Sequence, residues 1–161
     1  MLKLFVLRHG KAIKPQENIR DFDRYLNKKG TAQVNQVGYI LRETQAEIVQ
    51  IITSGARRTS ETAEIMNYYL QTDNIIYDDE LYLTSYTEIL RLLAQHATAK
   101  SVLLVGHNFG LSHFVNYLTD DQLNLSTSML VEINFNFDDW NMLSASTGTI
   151  EQIIVPQVHS F

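Results

Sequence analysis

Two histidines follow short apolar runs of the chain, and each lies beside a glycine. His9 comes after the first run together with Arg8, and His107 comes after the run over residues 101–105. A third polar cluster, SGARR at residues 54–58, follows another apolar run. Guanidinium groups bind phosphate oxygens in pairs, and a neutral imidazole can attack phosphorus to form a phosphohistidine. These residue types therefore indicate chemistry on a phosphoryl group.

The elements that must hold these groups alternate between strands and helices. Continuous or alternating apolar runs predict strands over residues 2–7, 48–53, 75–77, 101–105, 129–137 and 149–155. Helical spacing of apolar residues predicts helices over residues 31–42, 56–70, 84–97 and a segment ending near residue 118. Thr31 is the expected cap of the first helix. This alternation predicts an α/β fold, a three-layer α/β/α sandwich with a mostly parallel central sheet.

In such a sheet the carboxyl ends of the strands form the ligand-binding edge, where both histidines and the SGARR cluster would meet. Arg57 and Arg58 cannot both face this edge, because neighbouring helical residues point about 100° apart. Glu61 lies four residues after Arg57 and predicts an exposed ion pair for that arginine. Arg58 is therefore the predicted phosphate ligand.

Each histidine also has a structural interpretation, since a single histidine at a strand end is more often a hydrogen-bonded structural residue. The occurrence of both His9 and His107 beside glycine after buried strands favours a shared site. His96, His113 and His159 lack that context and are expected to be structural or surface residues. No two histidines have the spacing of helix-borne zinc ligands, so we expect no metal.

The composition limits the class of protein. A chain of 161 residues predicts one domain over residues 1–161. The net charge of -5 argues against a nucleic-acid partner. The absence of cysteine excludes disulfides and a thiolate nucleophile. The sequence predicts neither a signal peptide nor a membrane-spanning run, so a cytoplasmic protein without a membrane partner is expected.

Three motifs together resemble the histidine phosphatase superfamily, which has the phosphoglycerate mutase-like fold. They are LRHGKA, TSGARRTSETAEIM and VLLVGHN, in this order along the chain. Within the superfamily the chain is most similar to the SixA-type phosphohistidine phosphatases, and the segment DFDRYLNKKG at residues 21–30 resembles that branch. The resemblance extends from residue 2 to about residue 118.

This resemblance implies a phosphatase that works through a covalent phosphohistidine intermediate on His9, without a metal or organic cofactor. The other catalytic residues that it implies are Arg8, Arg58 and His107. Lys11 and Asn108 are expected at the rim of the pocket, either as substrate-binding residues or as solvated loop residues. The short chain leaves little sequence for a lid, so we expect an open pocket. Such a pocket suits a phosphoryl group on the surface of a protein, for example a histidine-phosphotransfer domain.

The chain departs from the family pattern at two positions. Gly55 replaces the usual proline, which affects the turn more than the chemistry. Many relatives carry a glutamate acid after the third strand, two residues beyond a leucine, and Leu83 stands there if that leucine is Leu81. The general acid is therefore unassigned, and the carboxylates that could reach the pocket are Glu80, Asp21 and Asp23.

Two other functions are compatible with the sequence. A small-molecule phosphomonoesterase or mutase of the same superfamily would use the same nucleophile, but the short chain and the missing acid disfavour a mutase. A phosphoprotein-binding module would keep the arginines without needing His9. The presence of both His9 and His107 favours an enzyme.

Overall fold

The computed structural model describes residues 1–157, which form a sheet of six strands with four helices. The strands are β1 (Lys3–Arg8), β2 (Gln50–Thr53), β3 (Ile75–Tyr77), β4 (Ser101–Gly106), β5 (Leu130–Phe135) and β6 (Gly148–Ile154). The helices are α1 (Lys28–Glu43), α2 (Arg57–Leu70), α3 (Tyr86–His96) and α4 (Gly110–Thr119). Every strand and helix that the sequence predicts is present, with most of the ends shifted by a few residues.

The strand order is β3-β2-β4-β1-β5-β6. The first four strands in this order run parallel to one another, whereas β5 lies antiparallel to both β1 and β6. The predicted α/β class with a mostly parallel sheet is therefore confirmed. Because β1 and β4 are neighbours at the centre, their carboxyl ends place Arg8 next to Gly106 in the register.

The alternation of side chains along β1 explains the three layers. Leu4 and Val6 pack in the core cluster that contains residues of α3 and α4. Phe5 and Leu7 point to the opposite face and pack in the cluster that contains residues of α1 and α2. Successive strand residues face opposite sides of a sheet, so a continuous apolar run is what a strand covered on both faces requires.

Helix α1 begins three residues earlier than predicted, and the prediction that Thr31 caps it is wrong. Asn27 is the capping residue, because its side-chain oxygen accepts a hydrogen bond from the backbone N–H of Gly30 at 2.8 Å. Gly30 thus lies in the first turn of the helix. A Cβ atom at Gly30 would lie 2.1 Å from the backbone oxygen of Lys11, so only glycine permits this close approach.

None of the helices within residues 1–157 has the length and apolar character needed to cross a bilayer. His96 pairs with Asp78 at 2.6 Å, and His113 is exposed on α4. Both agree with the structural or surface role that the sequence predicts. His159 lies outside the described residues.

Candidate active site

The carboxyl ends of β1, β2 and β4 border one cleft with a volume of about 510 Å³. The side chains that line it are Arg8, His9, Lys11, Ala12, Lys14, Pro15, Asp21, Arg24, Arg58, Leu83, His107, Asn108 and Thr127. The cleft therefore contains all six residues that the sequence analysis assigns to catalysis or substrate binding. Sequence reasoning missed Lys14, Arg24 and Thr127, which lie on loops whose paths the sequence does not reveal.

His9 is 8% exposed and its ring orientation is fixed by a hydrogen bond. The Nδ1 atom lies 2.7 Å from the carbonyl oxygen of Gly10. Burial, together with the neighbouring guanidinium groups, lowers the pKa of His9 to about 4, so the ring is neutral at pH 7. A carbonyl can only accept, so Nδ1 carries the proton and the lone pair of Nε2 is available.

The loop around His9 is attached to α2 through Thr62. The hydroxyl of Thr62 accepts a hydrogen bond from the backbone N–H of Gly10 at 3.0 Å and donates one to the carbonyl of Arg58 at 2.7 Å. Thr62 is buried, so both bonds are shielded from water. One side chain therefore fixes the backbone beside the candidate nucleophile and the start of the helix that carries Arg58.

His107 lies against His9, with 5.3 Å between the ring centroids. Its Nε2 atom is 2.9 Å from the hydroxyl of Ser54, and its Nδ1 atom is buried without a hydrogen-bond partner among residues 1–157. Burial and the adjacent His9 lower the pKa of His107 to about 3. Both rings are thus neutral at pH 7, which lets two imidazoles lie side by side without repulsion.

Arg8 and Arg58 are the two positively charged residues of the cleft that the sequence analysis assigns to catalysis. Arg8 donates to the carbonyl of Leu125 at 2.9 Å and has no salt-bridge partner within the described chain. Burial and the nearby charge of Arg58 lower the pKa of Arg8, although a guanidinium stays protonated. Arg58 is 4% exposed, as the helical geometry predicts for the inward-facing arginine. The two guanidinium groups repel each other until an anion binds between them.

Asp21 connects Arg58 to two residues that sequence reasoning did not place in the site. Its carboxylate accepts hydrogen bonds from Arg58 at 3.0 Å, from Arg24 at 2.8 Å and from the hydroxyl of Tyr82. The hydrogen bond from Tyr82, together with those from the two arginines, holds the pKa of Asp21 well below its usual range. The Tyr82 ring also stands edge-on to His107, at 5.3 Å between centroids.

Of the three candidate carboxylates, the structure brings only Asp21 to the cleft. Asp23 instead pairs with Arg20 at 2.7 Å. Glu80 pairs with Arg91 at 2.5 Å and does not line the cleft. Because Asp21 is ionised, it has no proton to donate at neutral pH.

Leu83 lines the cleft at the position where relatives were expected to carry an acid. Its backbone has a φ of 50°, in the left-handed region that a leucine rarely adopts. The residue as a whole is 54% exposed. An apolar side chain is therefore held at the mouth of the cleft in a costly backbone conformation.

Lys11 and Asn108 both line the cleft, but only the Asn108 side chain is already hydrogen-bonded within the described part of the protein. Asn108 donates to the carbonyl of Leu125 at 2.9 Å, and its oxygen accepts hydrogen bonds from the backbone and the hydroxyl of Ser112. This side chain holds the loop after β4 in place. Lys11 is exposed and forms no salt bridge with any residue in the range 1–157.

The arrangement can bind a tetrahedral dianion and attack it. Two arginines and two neutral histidines converge on one end of the cleft, and one imidazole nitrogen has a free lone pair. Within residues 1–157, no group of three or more histidine, aspartate or glutamate side chains is arranged to hold a metal ion.

The profile of the histidine phosphatase superfamily, branch 1, matches residues 4–89, which is more than half of the chain. The chain therefore belongs to the histidine phosphatase superfamily. Phosphatase chemistry is the activity that this membership supports. The matched segment includes the ends of β1 and β2 but stops before His107, so the third motif of the site lies outside it.

Similar proteins are found among both sequences and structures. An uncharacterized chloroplastic protein of Arabidopsis thaliana is 23% identical over 99% of this chain and 80% of its own length. A structure assigned to phosphohistidine phosphatase SixA from Agrobacterium tumefaciens superimposes with a TM-score of 0.84 and 24% identity, over 96% of this chain and 98% of that one. The protein histidine phosphatase SixA in complex with tungstate superimposes with a TM-score of 0.81 and 20% identity, over 96% and 97% of the two chains. These structures share the fold of this protein.

Proposed function

We propose that this protein is a phosphatase that forms a covalent phosphohistidine on His9 and removes phosphoryl groups from phosphohistidine in a protein. The observation that carries the proposal is the tautomer of His9, whose Nδ1–H is bonded to the Gly10 carbonyl and whose Nε2 lone pair is free. A neutral nucleophile beside two guanidinium groups suits attack on a phosphoryl dianion. Tungstate, the ligand in the SixA complex, is likewise an oxyanion.

The proposed reaction has two steps. In the first, Nε2 of His9 attacks phosphorus in line, the bond between phosphorus and the leaving group breaks, and the leaving group takes the electron pair. Arg8, Arg58 and His107 surround the equatorial oxygens, whose charge they stabilise in the transition state. In the second step, water attacks phosphorus, the bond to His9 breaks, and inorganic phosphate leaves with neutral His9 restored.

The preference for phosphohistidine follows from the residues around the leaving group. An alkoxide leaving group requires a proton in the transition state, and a positioned acid supplies about 10²- to 10⁴-fold in rate. The lining residues considered for this role are Asp21, which is ionised, and Leu83, which is apolar, so neither can donate the proton. A phosphohistidine ring can be protonated before the reaction and leaves as a neutral imidazole. The proposed partner is accordingly a phosphorylated protein, with a histidine-phosphotransfer domain as the type that an open cleft suits.

The mechanism is tested by the substitution His9→Ala. We expect the variant to lose nearly all turnover of phosphohistidine and aryl phosphate. The other neutral imidazole of the cleft, His107, has its Nε2 atom hydrogen-bonded to Ser54 and its Nδ1 atom buried, so it cannot replace the nucleophile. Rapid quenching of the wild-type protein with a labelled phosphodonor should locate the label on His9. The variant should keep the circular dichroism spectrum of the wild type. Wild-type turnover by the folded variant would refute the covalent mechanism.

The leaving-group preference is tested by comparing kcat/KM for phosphohistidine, an aryl phosphate and phosphoserine. We expect the first two substrates to exceed phosphoserine by at least about 10²-fold. The substitution Leu83→Glu introduces a carboxyl group at the mouth of the cleft and should narrow this ratio by raising phosphoserine turnover. Glu80→Gln serves as the control and should leave the ratio unchanged. Equal turnover of phosphoserine and phosphohistidine by the wild type would contradict the proposed specificity.

A further inference from the structure

The catalytic cleft has a neighbouring cavity beside α1, which we call the second lobe. It has a volume of about 300 Å³ and shares the lining residues Lys11 and Thr127 with the catalytic cleft. The other residues that line it are Lys29, Gln33, Ser126, Val155 and Pro156. Every polar side chain in this set can donate a hydrogen bond, and the set contains no carboxylate. The second lobe therefore has the donors and the charge that an anion requires.

Gln33 is the buried polar group of the second lobe. It is 8% exposed, and its side-chain amide forms no hydrogen bond with any residue of the described range 1–157. The amide atoms of Gln33 are not among the fully buried side-chain atoms that lack a partner, so they face the cavity. An acceptor from a ligand would satisfy the two amide N–H groups of Gln33.

Lys29 lies in the first turn of α1, where a positive charge destabilises a helix. Lys28 and Lys29 open α1, and the first turn of this helix contains no acidic residue. The helix dipole is positive at this end, so cations there are unfavourable and anions are favourable. Neither Lys29 nor Lys11 forms a salt bridge within residues 1–157. Violations of a local rule of this kind are expected at functional positions.

The backbone holds the two lysines of the second lobe close together. The Lys11 carbonyl accepts a hydrogen bond from the N–H of Asn27 at 2.9 Å, and it lies against Gly30, directly after Lys29. Lys11 also follows the catalytic loop that carries His9. Because the same segment borders both cavities, a ligand bound at His9 can extend into the second lobe.

From these features we propose that the second lobe binds a carboxylate of the substrate, namely an Asp or Glu side chain that flanks the phosphohistidine of a protein. Lys11 and Lys29 supply charge, and the Gln33 amide supplies a hydrogen-bond donor that lines the cavity. The identity of the substrate as a phosphoprotein rests on the proposed function, whereas the binding of a second anionic group does not. The second lobe is thus a specificity site beside the phosphate pocket.

Binding can be measured without turnover by calorimetry with alkylphosphonates of increasing chain length. Each compound is paired with a matched compound whose terminal carboxylate is replaced by a carboxamide. At the length that reaches the second lobe, we expect the carboxylate to bind about tenfold more tightly, as a charge-assisted contact permits. Lys29→Gln should reduce this ratio to about one, and Gln33→Leu should reduce it in part. Lys28→Gln removes the same charge from the adjacent exposed residue and should keep the ratio.

Two results would overturn the proposed site: a ratio of one at every length, or equal losses in Lys28→Gln and Lys29→Gln, which would indicate only long-range attraction. Failure of all phosphonates to bind would instead contradict the phosphate pocket and the proposed function. Phosphohistidine peptides with Glu or Gln at successive flanking positions test whether the bound carboxylate belongs to a protein substrate. A preference for Glu at one position that is lost in Lys29→Gln supports it, and equal turnover of all peptides refutes it.

Discussion

At the scale of single residues, Arg57 and Arg58 show how far one step along a helix separates two side chains. The Arg58 side chain is 5% exposed. It donates hydrogen bonds to the backbone carbonyl and to the carboxylate of Asp21. The Arg57 side chain is 56% exposed, 4.0 Å from Glu61 and stacked over the Tyr25 ring. Of these two arginines, only Arg58 lines the cleft and can contact a phosphoryl group there.

This difference predicts unequal effects of the same substitution. Arg58→Ala should lower kcat/KM by about 10²- to 10³-fold, as removal of a preorganised donor to transition-state charge does. Arg57→Ala should change kcat/KM by less than about twofold, since exposed ion pairs contribute little. Steady-state kinetics on an aryl phosphate measures both. An equal fall of kcat/KM in the two variants would contradict the conclusion that Arg58 faces the cleft and Arg57 faces solvent.

The inward orientation of Arg58 could be predicted because it depends only on helical geometry. The ends of β1, β2 and β4 could be placed together for a similar reason, since each strand is a continuous apolar run. The contact between Asp21 and Tyr82 could not, because it joins residues 61 apart through two loops. No local pattern specifies the path of either loop. The cleft therefore contains residues that only the structure identifies.

At the scale of elements, the start of α1 brings together the cap, the close contact of Gly30 and the lysines of the second lobe. The sequence predicts that this helix begins at Thr31, because apolar residues have helical spacing over residues 31–42. Gly30 lies inside the helix, and a tertiary contact requires glycine at this position. The Lys11 backbone packs so close to Gly30 that it occupies the place where a Cβ atom would be. A contact of this kind leaves no periodic signal, so the predicted cap at Thr31 was wrong.

The identity of the cap can be measured by two alanine substitutions. Asn27→Ala removes the acceptor for the Gly30 N–H and should lower the free energy of unfolding by about 1 kcal/mol. Thr31→Ala is the control, because Thr31 is exposed and its side chain caps nothing. Chemical denaturation of both variants tests this. A larger loss from Thr31→Ala would contradict the assigned start of α1.

At the scale of the whole molecule, the charge is distributed unevenly. Five of the 13 lysine and arginine residues line the catalytic cleft, namely Arg8, Lys11, Lys14, Arg24 and Arg58. Asp21 is the one carboxylate among its lining residues, although the chain as a whole has a net charge of -5. A concave positive region on a negative protein attracts anions toward that region and repels them elsewhere.

This distribution predicts that salt slows capture of the substrate. Raising the ionic strength from about 0.01 M to about 0.15 M shortens the Debye length from about 30 Å to about 8 Å. We expect kcat/KM for a phosphoprotein to fall several-fold over this range, with little change in kcat. Lys14→Gln should make the dependence shallower. A value of kcat/KM that does not change with salt would indicate that attraction by the cleft plays no part.

The site is built from two parts of the chain that differ in their free energy of local unfolding: the central strand β1 and the loop segment after it. This strand is hydrogen-bonded to β4 on one side and to β5 on the other, so amide protons at its centre exchange with solvent only when the sheet opens. The segment from Lys11 to Asn27 has only short isolated bridges and one 3-10 turn, and most of its residues are exposed or half-buried. That segment can open by itself at a lower free energy. On warming, the protein should therefore lose the substrate discrimination proposed for this segment before it loses the strand that precedes His9, the proposed nucleophile.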